Sequence, residues 1–269
     1  MRSIAFHQKF KLDRERLAAL LRYMTEQPVM SKKGAAAYIG MGQPAVEGMI
    51  GWLIKTNLGE PREKGYGLTP FGRLIAAHDP ELAHIGTLWL LHYYLVTEHT
   101  ERSEVWYRAF NEFFTPGVSI ERGSLLAYVE RIHEHTPKNK TGLAADCNQL
   151  WKCYLDPASL GKLNLVREEA QTYTFQLGLA PDTAICAFTL FDTWQRRFPY
   201  TDTLRLSQIC EEPECLGKVF VAHRDQVVQM LQSLQSLGLV NLADSQHEPV
   251  TRRYRDDPFE ILTSFYAKL

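Results

Sequence analysis

The stretch from residue 31 to residue 74 constrains this chain most, because its punctuation admits one local arrangement. Ser31 precedes the small-residue run Lys32-Lys-Gly-Ala-Ala-Ala-Tyr-Ile39, and Gly40-Met-Gly42 breaks it. A serine before a helix accepts from its unpaired N–H groups, and glycine takes the left-handed conformation that ends one. Gln43-Pro44 opens a second helix, where the missing proline N–H costs nothing. Val46, Met49, Ile50, Leu53 and Ile54 then recur at helical spacing and predict a core-facing stripe. Leu58-Gly59, the charged tip Glu60-Pro-Arg-Glu-Lys64 and Tyr66-Gly-Leu68 predict a hairpin, and Thr69 caps a helix over 70–77. Helix, turn, helix and hairpin is the order of a winged helix, a module used mainly to dock DNA.

Before it, Phe6-His-Gln-Lys-Phe10 reads as a short strand or a staple, and Asp13 caps a helix over 14–26. After it, residues 81–98 are apolar around most of a helix, with Trp89, Tyr93 and Tyr94, and residues 103–114 add Trp106, Tyr107, Phe110, Phe113 and Phe114. Helices apolar on every side are buried. The first pattern then returns: a helix from Ser119 to about 135, a basic turn, a helix over 141–155, and a hairpin from 163–166 to 173–175. A strongly apolar helix covers 182–198. A third round runs through strand 204–206, short helix 207–210, helix 224–237, strands 239–242 and 250–254, and helix 258–266.

The fold expected is therefore mainly α with small β-hairpins: two or three winged-helix-like modules around an aromatic helical hub. The divisions are 1–78 (N-terminal winged helix), 79–115 (hub), 116–200 (second winged-helix-like module plus a helix) and 201–269 (C-terminal winged-helix-like module). No apolar run approaches the roughly 20 residues needed to span a bilayer. No signal-peptide pattern opens the chain either, so a cytoplasmic location is expected. Five cysteines without regular spacing fit a reduced compartment.

Charge is unevenly placed. The net value is only −1, but residues 1–70 carry 11 basic and 6 acidic groups, while 180–269 sum to −3. The positive excess coincides with the first module. Lys32 and Lys33 at a helix start, with Arg62 and Lys64 at the hairpin tip, suit phosphate contact. On the second helix Gln43 can read adenine, and Lys55 can meet phosphate or guanine. Lys138 and Lys140 offer the same chemistry in the second module, and Arg252, Arg253 and Arg255 form a third basic spot beside Asp256 and Asp257. Ala45, Gly48 and Gly51 would leave a smooth strip on the second helix, open to another helix.

No catalytic or metal pattern emerges. Cys210 and Cys215, with four residues between them and His223 beyond, lack a convincing fourth zinc ligand. His92 on an aromatic helix reads more readily as a hydrogen-bonded core histidine than as a catalyst. Phosphate-cradling glycine loops, GxSxG and HExxH are missing from the sequence. The chain is accordingly expected to be no enzyme and to need no cofactor or metal.

Several segments together resemble a bacterial family, the domain of unknown function numbered 4007. They are Phe6-His-Gln-Lys-Phe10, Gly40-Met-Gly42, Trp52-Leu53, Asp79-Pro-Glu-Leu82, Thr87-Leu-Trp-Leu-Leu-His92, Trp106-Tyr with Phe110-Asn-Glu-Phe113, Gly217-Lys-Val-Phe220 and Asp256-Asp-Pro258. The resemblance spans nearly the whole chain. Members of that family tend to stand beside sulfur-transfer proteins in DNA-modification, phosphorothioation and phage-defence loci. The resemblance thus implies a DNA-binding accessory or regulatory role. The second helix tends to begin with basic residues there, whereas Gln43 and Glu47 stand in those places here. Duplex DNA, proteins encoded nearby and a second copy of the chain are the partners expected, and a membrane is not. Two alternatives stand beside this reading. One is a scaffold that holds a partner enzyme through the hub or the Gly48/Gly51 strip. The other is a regulator with a small ligand among Trp89, His92, Tyr93 and Trp106.

Overall fold

The computed structural model describes residues 4–99, 102–133, 140–243 and 248–269. Helix α1 (Arg14–Glu26) begins where the Asp13 carboxylate accepts from the Arg16 N–H, and it buries Leu17, Leu20, Leu21 and Met24. Helix α2 (Lys32–Ile39) is capped by Ser31 Oγ, which accepts from the Gly34 N–H at 3.0 Å. It stops at Gly40, whose φ of 63° is left-handed. Helix α3 (Gln43–Lys55) carries Pro44 in its first turn, as expected. Strands β1 (Gly59–Arg62) and β2 (Gly65–Leu68) pair antiparallel, and Thr69 caps α4 (Pro70–His78). Met30 joins the hairpin edge through an antiparallel bridge to Tyr66, with N–H···O distances of 2.8 and 3.0 Å.

The middle of the chain is the hub. Every residue of α5 (Ile85–Val96) from Gly86 onward is buried, as its all-round apolar character requires. The 103–114 segment differs from one regular helix: α6 (Glu104–Arg108) passes into a π-helical turn at Ala109–Phe113. Asn111 in that turn explains the break. Its amide donates to the carbonyls of Val96 and Tyr107, and its oxygen accepts from the Glu214 N–H, so three segments meet on one side chain.

Ser119 does not begin a helix. Residues Ser119–Glu121 form β3, because Ile120 and its neighbours pair with a later strand, and α7 (Arg122–Ile132) follows. Helix α8 (Lys140–Leu155) leads to a 3-10 turn at Gly161–Leu163, then β4 (Val166–Glu169) and β5 (Thr172–Phe175). The first strand of this hairpin thus starts three residues later than its apolar run suggests, since Asn164 adopts a left-handed φ of 58° that ends the turn. After α9 (Thr183–Arg197) come β6 (Thr203–Arg205), α10 (Leu206–Glu211), the unanticipated short α11 (Leu216–Val219), α12 (Arg224–Ser236), β7 (Val240–Leu242), β8 (Pro249–Arg252) and α13 (Pro258–Tyr266).

One topology recurs three times. A first strand, two or more helices and a hairpin follow in order, and the first strand pairs with the hairpin's second strand. This holds for Met30 with β2, for β3 with β5 and for β6 with β8. A continuous apolar core runs through all three units, and Trp52, Trp89, Trp106, Trp151 and Trp194 lie within it.

Candidate nucleic-acid interface

The cations of the first unit divide into exposed and buried groups. Lys33 and Lys64 are exposed. Lys32 is exposed and holds Glu47 at 2.8 Å; the hydrogen bond raises the lysine pKa and lowers that of the carboxylate. Gln43, also exposed, supports Glu47 from the first turn of α3. Arg62 pairs with Glu60 two residues before it on the same strand. Exposed pairs of this kind contribute little and exchange readily for another anion. Lys140, on α8, is the most exposed of these paired cations, 3.8 Å from Glu130. Lys138 lies outside the described residues.

Lys55 is elsewhere, contrary to the expectation that it faces a groove. It is 4% exposed, its Nζ is 3.4 Å from the Arg102 carbonyl oxygen, and it lies over the Phe6 ring. The cause is the chain's own beginning. Residues 4–12 form no strand; they cross α3 as a strap, with Phe6 and His7 buried. A methyl group at position 48 would sit 2.5 Å from the His7 carbonyl oxygen, and one at 51 would collide with that of Phe6. The Ala45/Gly48/Gly51 strip is therefore covered by backbone rather than open to a partner helix. The start of α3 keeps Gln43 and Pro44 exposed and Glu47 half-buried.

The strap is anchored by a polar cluster that the sequence reading did not assemble. His7 Nε2 lies 2.6 Å from Asp146 Oδ1, with neither side chain exposed. The Ala5 N–H donates to the same carboxylate, and the Lys9 N–H donates to His7 Nδ1. Gln149 donates to the Lys9 carbonyl, and the Trp52 indole to that of Phe10. Burial pushes the Asp146 carboxyl up, against the pull of His7 and Lys55. Asp146 is an acid facing inward on α8, and that was its one visible signal.

The hub's aromatic residues lie in the core. Trp89, His92, Tyr93 and Trp106 are all fully buried. His92 Nδ1 meets the Tyr154 hydroxyl at 2.6 Å and Nε2 meets the Val219 carbonyl at 2.7 Å, so the imidazole is a satisfied core group. Nearby, burial works against the charge of Asp192, yet His99, Arg196 and the Tyr93 hydroxyl hold its carboxyl near about 2. The five cysteines are free thiols, and burial pushes four of them, Cys147, Cys153, Cys186 and Cys215, up to about 12. Cys210 and His223 share a small cavity with Lys218 and Arg224, while Cys215 is not part of its lining.

A family described as "Protein of unknown function (DUF4007)" matches residues 5–266. The chain belongs to that family. No curated protein matches it. Among solved structures, the magnesium ion-bound form of SspB superposes at a TM-score of 0.81 with 18% identity, and a second SspB structure at 0.81 with 20%. Each match covers 99% of this chain and 88% of the other, and at such identity it is the fold that is shared. Among the described residues here, no group of three or more His, Cys, Asp or Glu is placed to hold a metal ion. No described helix is long and apolar enough to cross a membrane.

Proposed function

We propose that this chain is a DNA-binding accessory or regulatory protein of a bacterial DNA-modification and phage-defence system, and that it works without catalysing a reaction. It would meet duplex DNA through winged-helix modules and act alongside other proteins of the same system. The observation carrying this reading is the recurrent unit itself. A strand, helices and a hairpin that closes back on the strand follow the order that the winged-helix reading calls for, and the first copy exposes Lys32, Lys33, Gln43, Arg62 and Lys64 at α2, α3 and the hairpin. Family membership supports the setting, since such proteins accompany DNA-modification genes. The glycine strip lies under the strap and the aromatic hub is core, which favours this reading over a scaffold that uses those two surfaces.

Contact is expected to be mainly to the backbone. With α3 covered beyond its first turns, few side chains remain to reach base edges, whereas phosphate contacts need only exposed cations. Electrophoretic mobility of duplex DNA tests the reading. The parent protein should give a salt-sensitive shift. Joint replacement of Lys32, Lys33, Arg62 and Lys64 by Ala should flatten the log–log salt dependence by about 3–4, or roughly 0.9 per phosphate. A parent protein giving no salt-sensitive shift contradicts the proposal.

A further inference from the structure

Two of the hairpin's cations do not simply project from its tip. Arg62 and Lys64, together with Arg73 of α4, line a cleft of about 750 Å³ between the end of α1, the turn that follows it and the β1–β2 hairpin. Arg73 Nη1 donates to the Leu68 carbonyl oxygen at 2.8 Å, and Arg62 Nη2 lies 3.5 Å from the same oxygen. Two guanidinium groups thus converge on one carbonyl, with a lysine beside them and Glu63 as the one carboxylate in the lining. Arg62 reaches this place by folding over Gly67, whose missing side chain leaves the space. Glu60 pairs with Arg62 from outside the lining, so the three cations face two carboxylates and one positive charge is left for an anion to neutralise. Met24 and Leu68 supply an apolar floor.

We infer that this cleft seats a length of DNA sugar–phosphate backbone, with Arg73 as a phosphate ligand beside Arg62 and Lys64. The inference rests on the DNA-binding reading and gives it a location. The volume falls in the range of ordinary ligand pockets, about 300–1,000 Å³, which admits a nucleotide-sized group. The guanidinium groups match phosphate oxygens in a fork geometry. The floor takes the sugar's carbon face. The internal bond to Leu68 fixes the Arg73 group at the mouth, which lowers the ordering cost of binding.

Fluorescence anisotropy with a labelled DNA duplex between about 50 and 200 mM salt provides the test. Arg73→Ala should lower the log–log salt slope by about 0.9, and Arg73→Lys should keep it, because the charge remains. Arg73 also supports the hairpin through Leu68, so Lys64→Ala, at an exposed tip, is the second variant; it should lower the slope by a similar amount. Melting curves establish that each variant is folded. If the parent binds with a salt-dependent affinity and neither Arg73→Ala nor Lys64→Ala alters the slope, the cleft is not the seat and DNA binding stands on other residues. A parent that shows no salt-dependent binding overturns the cleft and the broader reading together.

Discussion

His92 is held neutral by burial, with Nε2 donating to the Val219 carbonyl and Nδ1 accepting from the Tyr154 hydroxyl. Burial lowers its pKa from the ordinary 6.5 to about 4, and the Val219 carbonyl opposes this only in part. An unfolded His92 takes up a proton below its ordinary value while the folded one resists until about 4. The native state therefore binds fewer protons in that window and loses stability as pH falls through it. Above the window the group has no effect. The span corresponds to roughly 3 kcal/mol. Urea midpoints measured from neutral pH down to about 4 should fall more steeply for the parent than for His92→Gln, whose amide does not titrate. Parallel profiles for the two proteins would contradict this account of the residue. Lys55 is the other instructive side chain. Its chemistry invited a role at a groove, but its stem lies over Phe6 and its ammonium sits near a backbone carbonyl, an arrangement that long amphipathic side chains adopt readily.

Helix α3 was legible in its start and its apolar stripe, because those follow from proline placement and the 3.6-residue period. What covers its other face was not. Ala45, Gly48, Gly51 and Lys55 share that face, and small residues there do signal close approach, but periodicity cannot name the segment that approaches. It proved to be residues 4–12, held from α8 through Asp146 and Gln149. The His7–Asp146 contact joins positions far apart in the chain, and nothing local marks such a pair. Strand β3 and the single bridge at Met30 are likewise too short to alternate visibly, whereas β6 was expected one residue later than it lies, at 204–206. The strap makes a prediction of sign. Gly51→Ala should destabilise the protein by about 3 kcal/mol, since the new methyl group meets the Phe6 carbonyl and the strap must shift. Gly123→Ala, on α7 with open space around it, should be neutral or stabilise by up to about 1 kcal/mol through helix propensity. Chemical denaturation of both variants checks the pair, and equal effects would contradict the packing described.

Across the whole molecule, the burial of the hub followed directly from helices apolar on all sides, and the recurrence of helix, helix and hairpin was visible as pattern. The closed topology was not, because strand pairing between a first strand and a distant hairpin leaves no trace in composition. The exposed cations remained legible as residue types, while their division between an exposed edge, a cleft and a buried cluster depended on the strap and the hairpin fold. The central claim is that duplex DNA rests against the first unit, along α2, the start of α3 and the β1–β2 hairpin. Hydrogen–deuterium exchange with and without duplex DNA measures this directly. The account predicts slower exchange on DNA addition in residues 31–43 and 59–73, with α9 and α13 unchanged. No slowing in those two segments, or slowing centred on α9 and α13, would contradict it.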